Sequence, residues 1–178
     1  MKSVQITKAF FGIYLFGLFW LIVLKFNVAF LWIGHERGLN LVPYSDVINN
    51  AGGKIDFGEL ILNAIVFLPF GVFNGTLLKN WSVLKNILSF FIFSLTCEVL
   101  QYLLAVGAAD ATDVVNNTLG GLAGLVIYKG ILQLSGDSFR ADKLIRLLLI
   151  VGIILLALFF LYLRINELWM FRMHTIRR

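Results

Sequence analysis

Residues 86–109 read NILSFFIFSLTCEVLQYLLAVGAA, and this stretch decides the fold because it is long and apolar enough to cross a membrane. Its one charged residue is Glu98. A carboxylate within a membrane span is costly and by default marks a functional site. Ser94 and Gln101 lie on the same helix face as Glu98, because residues three or four positions apart are neighbours on a helix. The sequence therefore predicts a membrane helix with a polar, functional face.

The composition of the whole chain supports a membrane protein. Hydrophobic residues make up 60% of the 178 residues and charged residues only 14%, whereas a soluble domain carries about 25% charged residues. Lipid must therefore cover most of the surface. The net charge of +5 comes from bases scattered at the ends of apolar runs, where they orient spans and contact anionic lipid. We therefore expect membrane lipid as a partner and no nucleic acid.

Five apolar runs predict an all-α integral membrane protein with about five transmembrane helices in one bundle. The spans cover about 8–31, 58–78, 83–106, 114–134 and 144–164. We expect residues 1–178 to form a single transmembrane domain, because no linker or internal repeat divides them. Lys and Arg are absent from residues 86–128 and frequent in 129–146. This bias places the N-terminus in the cytoplasm and the loop after the third span outside, although the basic C-terminal residues oppose that orientation.

Most of the unusual polar residues converge on one side of the membrane. If the second and third spans both cross, the loops after the first and third spans lie on the same side. The residues in and near these loops then form a polar pocket that opens to that side. The candidate functional cluster consists of Arg37, Asn40, Asn63, Glu98, Gln101, Asp110, Asp113 and Asn117.

Cysteine and histidine do not indicate a metal or cofactor site. Cys97 is the single cysteine, so an internal disulfide and a cysteine-based zinc cluster are excluded. Its position in the middle of a span favours a buried, inert thiol. His35 and His174 do not have a metal-ligand spacing. We therefore predict no metal and no cofactor.

Four segments resemble the VanZ family in their order and spacing. They read RGLNLVPY at 37–44, NAIVFLPFG at 63–71, SLTCEVLQ at 94–101 and DATDVVNNTLGGLAG at 110–124. The resemblance covers about residues 35–128, the motif-bearing core. The family is associated with resistance to the lipoglycopeptide teicoplanin, so the resemblance implies a resistance protein of a Gram-positive plasma membrane.

The chain departs from this family pattern at one point. Many members carry an Arg shortly before the acidic pair, but residues 106–109 read VGAA here. A charge partner for Asp110 or Asp113 must then come from elsewhere, with Arg37 as the candidate. The difference counts against any Arg-dependent mechanism.

Several motif residues also have a purely structural interpretation. Gly120 and Gly124 form a GxxxG pattern that is typical of helix packing. Pro69 is expected to kink the second span. One of the two aspartates, Asp110 or Asp113, is expected to cap the fourth span. The asparagines at 63 and 117 suit either interhelical hydrogen bonds or ligand contact.

Two function classes stay open. In the first, the chain binds a lipid-linked cell-wall intermediate, or the lipoglycopeptide itself, at the outer leaflet. In the second, it is a membrane enzyme in which Glu98, Asp110 and Asp113 supply a general base and a divalent-metal site. No basic phosphate-binding cluster stands beside these acids, and no histidine activates a nucleophile in the third or fourth span. The sequence therefore favours the binding protein over the enzyme.

Overall fold

The computed structural model describes residues 2–24, 36–44 and 57–165. Within them the chain forms five helices and two short strands. The helices are α1 (Lys2–Leu24), α2 (Phe57–Leu77), α3 (Val83–Leu104), α4 (Ala111–Ser135) and α5 (Ser138–Ile165), and the strands are β1 (Glu36–Asn40) and β2 (Val106–Asp110). Helices α1 to α4 each contain a stretch long and apolar enough to cross a membrane. The predicted all-α membrane bundle is therefore confirmed.

The helices differ from the predicted spans in several places. Helix α1 begins at Lys2, and residues 25–31 of the first predicted span lie outside the described residues. Helix α4 begins at Ala111 rather than 114, because a polar residue caps it earlier than its apolar run begins. Helix α5 contains the predicted fifth span, but it is not among the spans found in the part of the chain that the structure describes. A fifth crossing therefore stays a prediction.

Two paired strands differ from the expectation drawn from the sequence. The sequence predicts a loop at 36–40 and a third span that ends at 106, whereas α3 ends at Leu104 and Ala105 turns the chain with a φ of 51°. Strand β2 then pairs in parallel with β1, with Gly38 opposite Ala108 and Asn40 opposite Asp110. A side chain at position 38 would bring its Cβ within 2.7 Å of the Ala108 Cβ, so this close pairing needs glycine.

Helices α2 and α4 form the tightest crossing of the bundle. A Cβ at Gly120 would collide with the carbonyl of Ala64, and one at Gly124 with the carbonyl of Leu68. A Cβ at Gly71 would likewise collide with the backbone of α4. The GxxxG pattern is therefore a packing surface, as predicted, and its partner is α2. This contact fixes the start of α4 next to the start of α2.

Aromatic side chains fill the centre of the bundle, where α1 packs against α2 and α3. The rings of Phe70 and Phe90 meet edge to face with centroids 5.0 Å apart, an arrangement that aromatic pairs favour. Phe67 and Leu18 complete the buried cluster. The hydroxyl of Tyr14 donates to the backbone carbonyl of Val66 over 2.7 Å, which satisfies its polar atom inside the bundle. The core thus holds three helices in a fixed arrangement below the strands.

An ion pair joins α5 to the turn between α2 and α3. The Nζ of Lys79 lies 2.6 Å from a carboxylate oxygen of Asp142. Partial burial alone would lower the pKa of Lys79, but the hydrogen bond and charge of Asp142 outweigh it, so the pKa is raised. This pair lies at the end of the bundle opposite to the strands, where Lys85, Lys129 and Arg140 are also exposed.

Candidate functional site

Asp110 is the centre of the hydrogen-bonded group at the strand end of the bundle. It is the N-cap of α4, and its Oδ1 accepts from the backbone N–H of Thr112 over 2.6 Å. Its Oδ2 accepts from the amide of Asn40 over 3.1 Å. Its own backbone N–H donates to Oε2 of Glu98 over 3.0 Å. The prediction that one of the two aspartates caps this helix is thus confirmed, and the same residue links β1, β2, α3 and α4.

Glu98 is buried deeply among these elements. Only 3% of its surface is exposed, and it shares the buried face of α3 with Ser94 and Gln101, as the sequence spacing predicted. A buried carboxylate requires hydrogen-bond donors to offset the loss of water. Strand β2 supplies one of them by folding back over α3, which places the Asp110 N–H beside the Glu98 carboxylate. The strand pair therefore has a direct role in building the site.

Asp113 connects the site to α2. Its Oδ1 accepts from the amide of Asn63 over 2.6 Å, a short, charge-assisted hydrogen bond. Asp113 lies in the first turn of α4, where a negative charge is favourable at the helix N-terminus. The tight α2–α4 crossing brings the two side chains together. Asn63 is therefore an interhelical contact of the acidic cluster rather than an isolated polar residue.

Three residues that were not among the predicted site residues join the site, Tyr44 from the segment after β1 and Thr112 and Asn116 from α4. The backbone N–H of Tyr44 donates to Oγ1 of Thr112 over 3.0 Å. The hydroxyl of Tyr44 donates to Oδ1 of Asn116 over 2.9 Å. All three residues lie in the segments that resemble the VanZ family, but their spacing along the chain does not indicate that the segment after β1 returns to α4. We refer below to Asn40, Tyr44, Asn63, Glu98, Asp110, Thr112, Asp113 and Asn116 as the motif cluster.

Two predicted site residues lie apart from this cluster. Asn117 is 1% exposed and donates to Oγ of Ser94 over 2.9 Å, which joins α4 to α3 deeper in the bundle. Gln101 donates to the backbone carbonyl of Ile22 over 3.1 Å, which joins α3 to α1. Both therefore act as contacts between helices. Arg37 pairs with Gly107 through the strand backbone, and its side chain lies outside the described atoms, so its role as a charge partner stays a prediction.

The cluster combines carboxylates with neutral amides and hydroxyls. Three carboxylates, from α3, the end of β2 and α4, and two asparagines that donate to two of them make a polar surface at one end of an apolar bundle. In the described parts of the chain, no group of three His, Cys, Asp or Glu residues is arranged to hold a metal ion. Buried Cys97 has the position expected for an inert thiol. The arrangement is suited to holding polar groups of a ligand at the membrane surface.

Comparison with known proteins gives a family and a relative. The sequence model of the VanZ/LLP1 family matches residues 11–133. The chain is also similar to "Protein VanZ" of Enterococcus faecium, with 36% identity over 166 residues that cover 90% of this chain and 96% of the relative. No solved structure matches the chain. The matched range contains the whole motif cluster and helices α2 and α3.

Proposed function

Because the chain belongs to the VanZ family, we propose that it modulates resistance to lipoglycopeptide antibiotics such as teicoplanin in a Gram-positive plasma membrane. It acts at the outer leaflet, on a lipid-linked cell-wall intermediate or on the drug. The observation that carries this proposal is the motif cluster. It gathers motif residues from β1, α2, α3 and α4 at one end of a bundle whose other surfaces are largely apolar.

The distribution of charge supports an outward-facing cluster. The exposed bases Lys85, Lys129, Arg140 and Lys143 lie near the opposite ends of the helices. Cytoplasmic segments of membrane proteins carry an excess of Lys and Arg. This bias supports an orientation with the opposite end in the cytoplasm and the motif cluster at the outer leaflet, where a lipoglycopeptide meets its target.

A binding role suits the hydrogen bonding of the carboxylates. Glu98 accepts from a backbone N–H, Asp110 caps a helix and Asp113 accepts from Asn63. Each acid is thus fixed by a neighbour in the free protein, as preorganised binding surfaces require. The alternative is an enzyme that modifies an envelope substrate through these three acids. The contacts favour the binding protein, because an activated nucleophile is not part of the cluster.

The proposed basis for drug selectivity is the small extent of the described residues beyond the helix ends. Teicoplanin carries an acyl chain that concentrates it at the membrane, whereas vancomycin does not. The described part of the bundle ends in two five-residue strands, and a site at these strands would act on molecules close to the outer leaflet. We therefore expect protection against the membrane-anchored drug and little protection against vancomycin.

The test is expression of the chain in a susceptible Gram-positive host. The wild type should raise the inhibitory concentration of teicoplanin, leave that of vancomycin unchanged and leave the termini of the cell-wall precursors unaltered. The variant Asp113→Leu, present in the membrane at the same level, should give no protection. Gly130→Ala should behave as the wild type, because an added methyl group there would meet no neighbouring element within 4 Å. Equal protection against both drugs, or altered precursor termini, would refute the binding protein and favour the enzyme.

A further inference from the structure

Helix α5 carries three bases on the side that faces away from the bundle. Ala141 and Ile145 are 0% and 1% exposed, so they mark the side of α5 that packs against the other helices. Arg140, Lys143 and Arg146 follow one another at intervals of three residues, and side chains at this spacing are neighbours on a helix. Arg140 and Lys143 are exposed and Arg146 is half-buried. These three bases, the base stripe, extend over about 9 Å of the helix, at a rise of about 1.5 Å per residue.

The acids nearest to the base stripe along the chain are already engaged elsewhere. Asp142 lies within this part of α5, but its carboxylate is bound to Nζ of Lys79 over 2.6 Å. Asp137 caps α5, since its Oδ1 accepts from the N–H of Phe139 over 3.1 Å. In the part of the chain that the structure describes, no ion pair involves the base stripe. Its positive charge is therefore available to a partner outside the chain.

Apolar side chains flank the base stripe and indicate a lipid rather than a soluble polyanion. Phe139, Leu144 and Leu147 are 67%, 44% and 56% exposed. The chain then continues without a charged residue to Leu163, through the predicted fifth span. Bases that immediately precede an apolar run of this length lie at the depth of the phospholipid head groups. A soluble polyanion would leave the neighbouring apolar side chains in water.

From this arrangement we infer that the base stripe is a binding site for the phosphate of an anionic phospholipid such as phosphatidylglycerol. Guanidinium and ammonium groups form charge-assisted hydrogen bonds with phosphate oxygens. Near an anionic membrane surface, each Lys or Arg favours the anionic lipid by about fivefold. The flanking apolar side chains contact the acyl chains of the same lipid molecule. The site lies at the opposite end of the bundle from the motif cluster and does not depend on the proposed function.

Other bases at this end of the bundle do not have the same arrangement. Lys85 lies in the first turn of α3 and Lys129 lies in the second half of α4, and both are exposed. Neither has a second base three or four residues away on its own helix. Each therefore offers a single charge, whereas α5 offers three neighbouring ones. This difference separates a lipid site on α5 from the general attraction of scattered bases to an anionic membrane.

The experiment captures the lipid that lies next to α5 in the full chain. The photoreactive amino acid p-benzoyl-phenylalanine replaces Phe139, which keeps an aromatic ring at this position. The protein is reconstituted in nanodiscs of equal amounts of phosphatidylglycerol and phosphatidylcholine with identical acyl chains. After illumination, mass spectrometry measures the ratio of the two lipid adducts. The matched control carries the same amino acid at Leu84, which is 64% exposed and adjoins the single base Lys85. We expect the ratio at position 139 to exceed that at position 84 by at least about fivefold, the effect of one additional base.

Substitutions of the base stripe test which residues hold the phosphate. Arg140→Gln and Lys143→Gln should each lower the ratio at position 139 by about fivefold. Arg140→Lys keeps the positive charge and should keep the ratio. Lys129→Gln removes an exposed base outside the stripe and should leave it unchanged. Circular dichroism should show the same helical content in all four variants, because the replaced side chains are exposed.

Sodium phosphate, compared with sodium chloride at the same ionic strength, distinguishes a lipid from a free anion. Equal effects of the two salts on the adduct ratio support the lipid-borne phosphate. A selective loss of the ratio in sodium phosphate would show a site for the free anion and would overturn the lipid site. Equal ratios at positions 139 and 84, or an unchanged ratio in both Arg140→Gln and Lys143→Gln, would overturn it as well. Teicoplanin tolerance in cells is measured separately, so the proposed function and the lipid site can fail independently.

Discussion

Replacement of Asp110 should destabilise the protein through two separable contacts. The Asp110 side chain caps α4 through the N–H of Thr112 and accepts from Asn40 on β1. Loss of an N-cap costs about 0.5–2 kcal/mol, and a hydrogen bond to a charged group contributes about 1.5–3 kcal/mol. Asp110→Ala loses both, so we expect a decrease of about 2–5 kcal/mol in the free energy of unfolding. Asp110→Ser keeps a capping oxygen and should lose only the contact with Asn40.

The assay is reversible unfolding in mixed micelles with increasing dodecyl sulfate, followed by circular dichroism. Asn40→Ala removes the bond to Asp110 and also the bond that its Oδ1 accepts from the N–H of Val42, so it should cost at least as much as Asp110→Ser. The double variant should cost little more than Asn40→Ala alone, because the Asn40–Asp110 bond is already lost. Additive effects would show that Asn40 and Asp110 do not interact. A cost below about 0.5 kcal/mol for Asp110→Ala, the range of ordinary surface substitutions, would refute the reasoning that this residue holds the strands to α4.

Three further predictions address orientation, packing and charge. In a cysteine-free background, A108C should react with an impermeant thiol reagent in intact cells and D137C only after permeabilisation. The reverse pattern would show that the bundle has the opposite orientation in the membrane. Gly124→Ala should destabilise the protein in the same unfolding assay, because its methyl group meets the backbone of α2. The control Gly130→Ala should be neutral or stabilising by up to about 1 kcal/mol. Equal effects of the two substitutions on stability would contradict the tight crossing of α2 and α4. Lys79→Met should cost no more than about 1 kcal/mol at neutral pH. The pKa of Lys79 is raised in the folded protein, so the ion pair stabilises the fold fully below the ordinary lysine pKa of about 10.4, and this stabilisation is lost as the pH rises through the folded pKa. The difference in unfolding free energy between wild type and variant should therefore shrink in alkaline solution.

The sequence predicted the helical bundle and the buried face of α3, because both depend on local patterns. A long apolar run identifies a span, and the spacing of Ser94, Glu98 and Gln101 places them on one face. The glycine pattern of α4 likewise predicted packing. It did not identify α2 as the partner, since the choice between neighbouring helices depends on the whole bundle.

The strands and part of the site could not be predicted because they depend on distant contacts. Residues 36–40 and 106–110 pair in register across a long stretch of chain, and neither segment shows the alternation of apolar and polar residues that marks a strand. Tyr44 reaches Asn116 only because the strand pair returns the chain to α4 and Tyr44 takes a left-handed conformation. Gln101 shares the face of Glu98 but is directed to α1. Spacing along one helix does not determine which neighbour each side chain meets.

The most direct test of the central claim, that the motif cluster is the functional site, is the teicoplanin tolerance conferred by Glu98→Gln at wild-type levels in the membrane. Glutamine keeps an oxygen that can accept from the Asp110 N–H, so the contact observed in the structure can survive while the charge is removed and the second oxygen becomes an NH2 donor. If Glu98 is part of the site, as we propose, protection against teicoplanin should be lost while the protein remains folded and inserted. Full protection by Glu98→Gln would show that Glu98 only holds the helices together and would contradict the account.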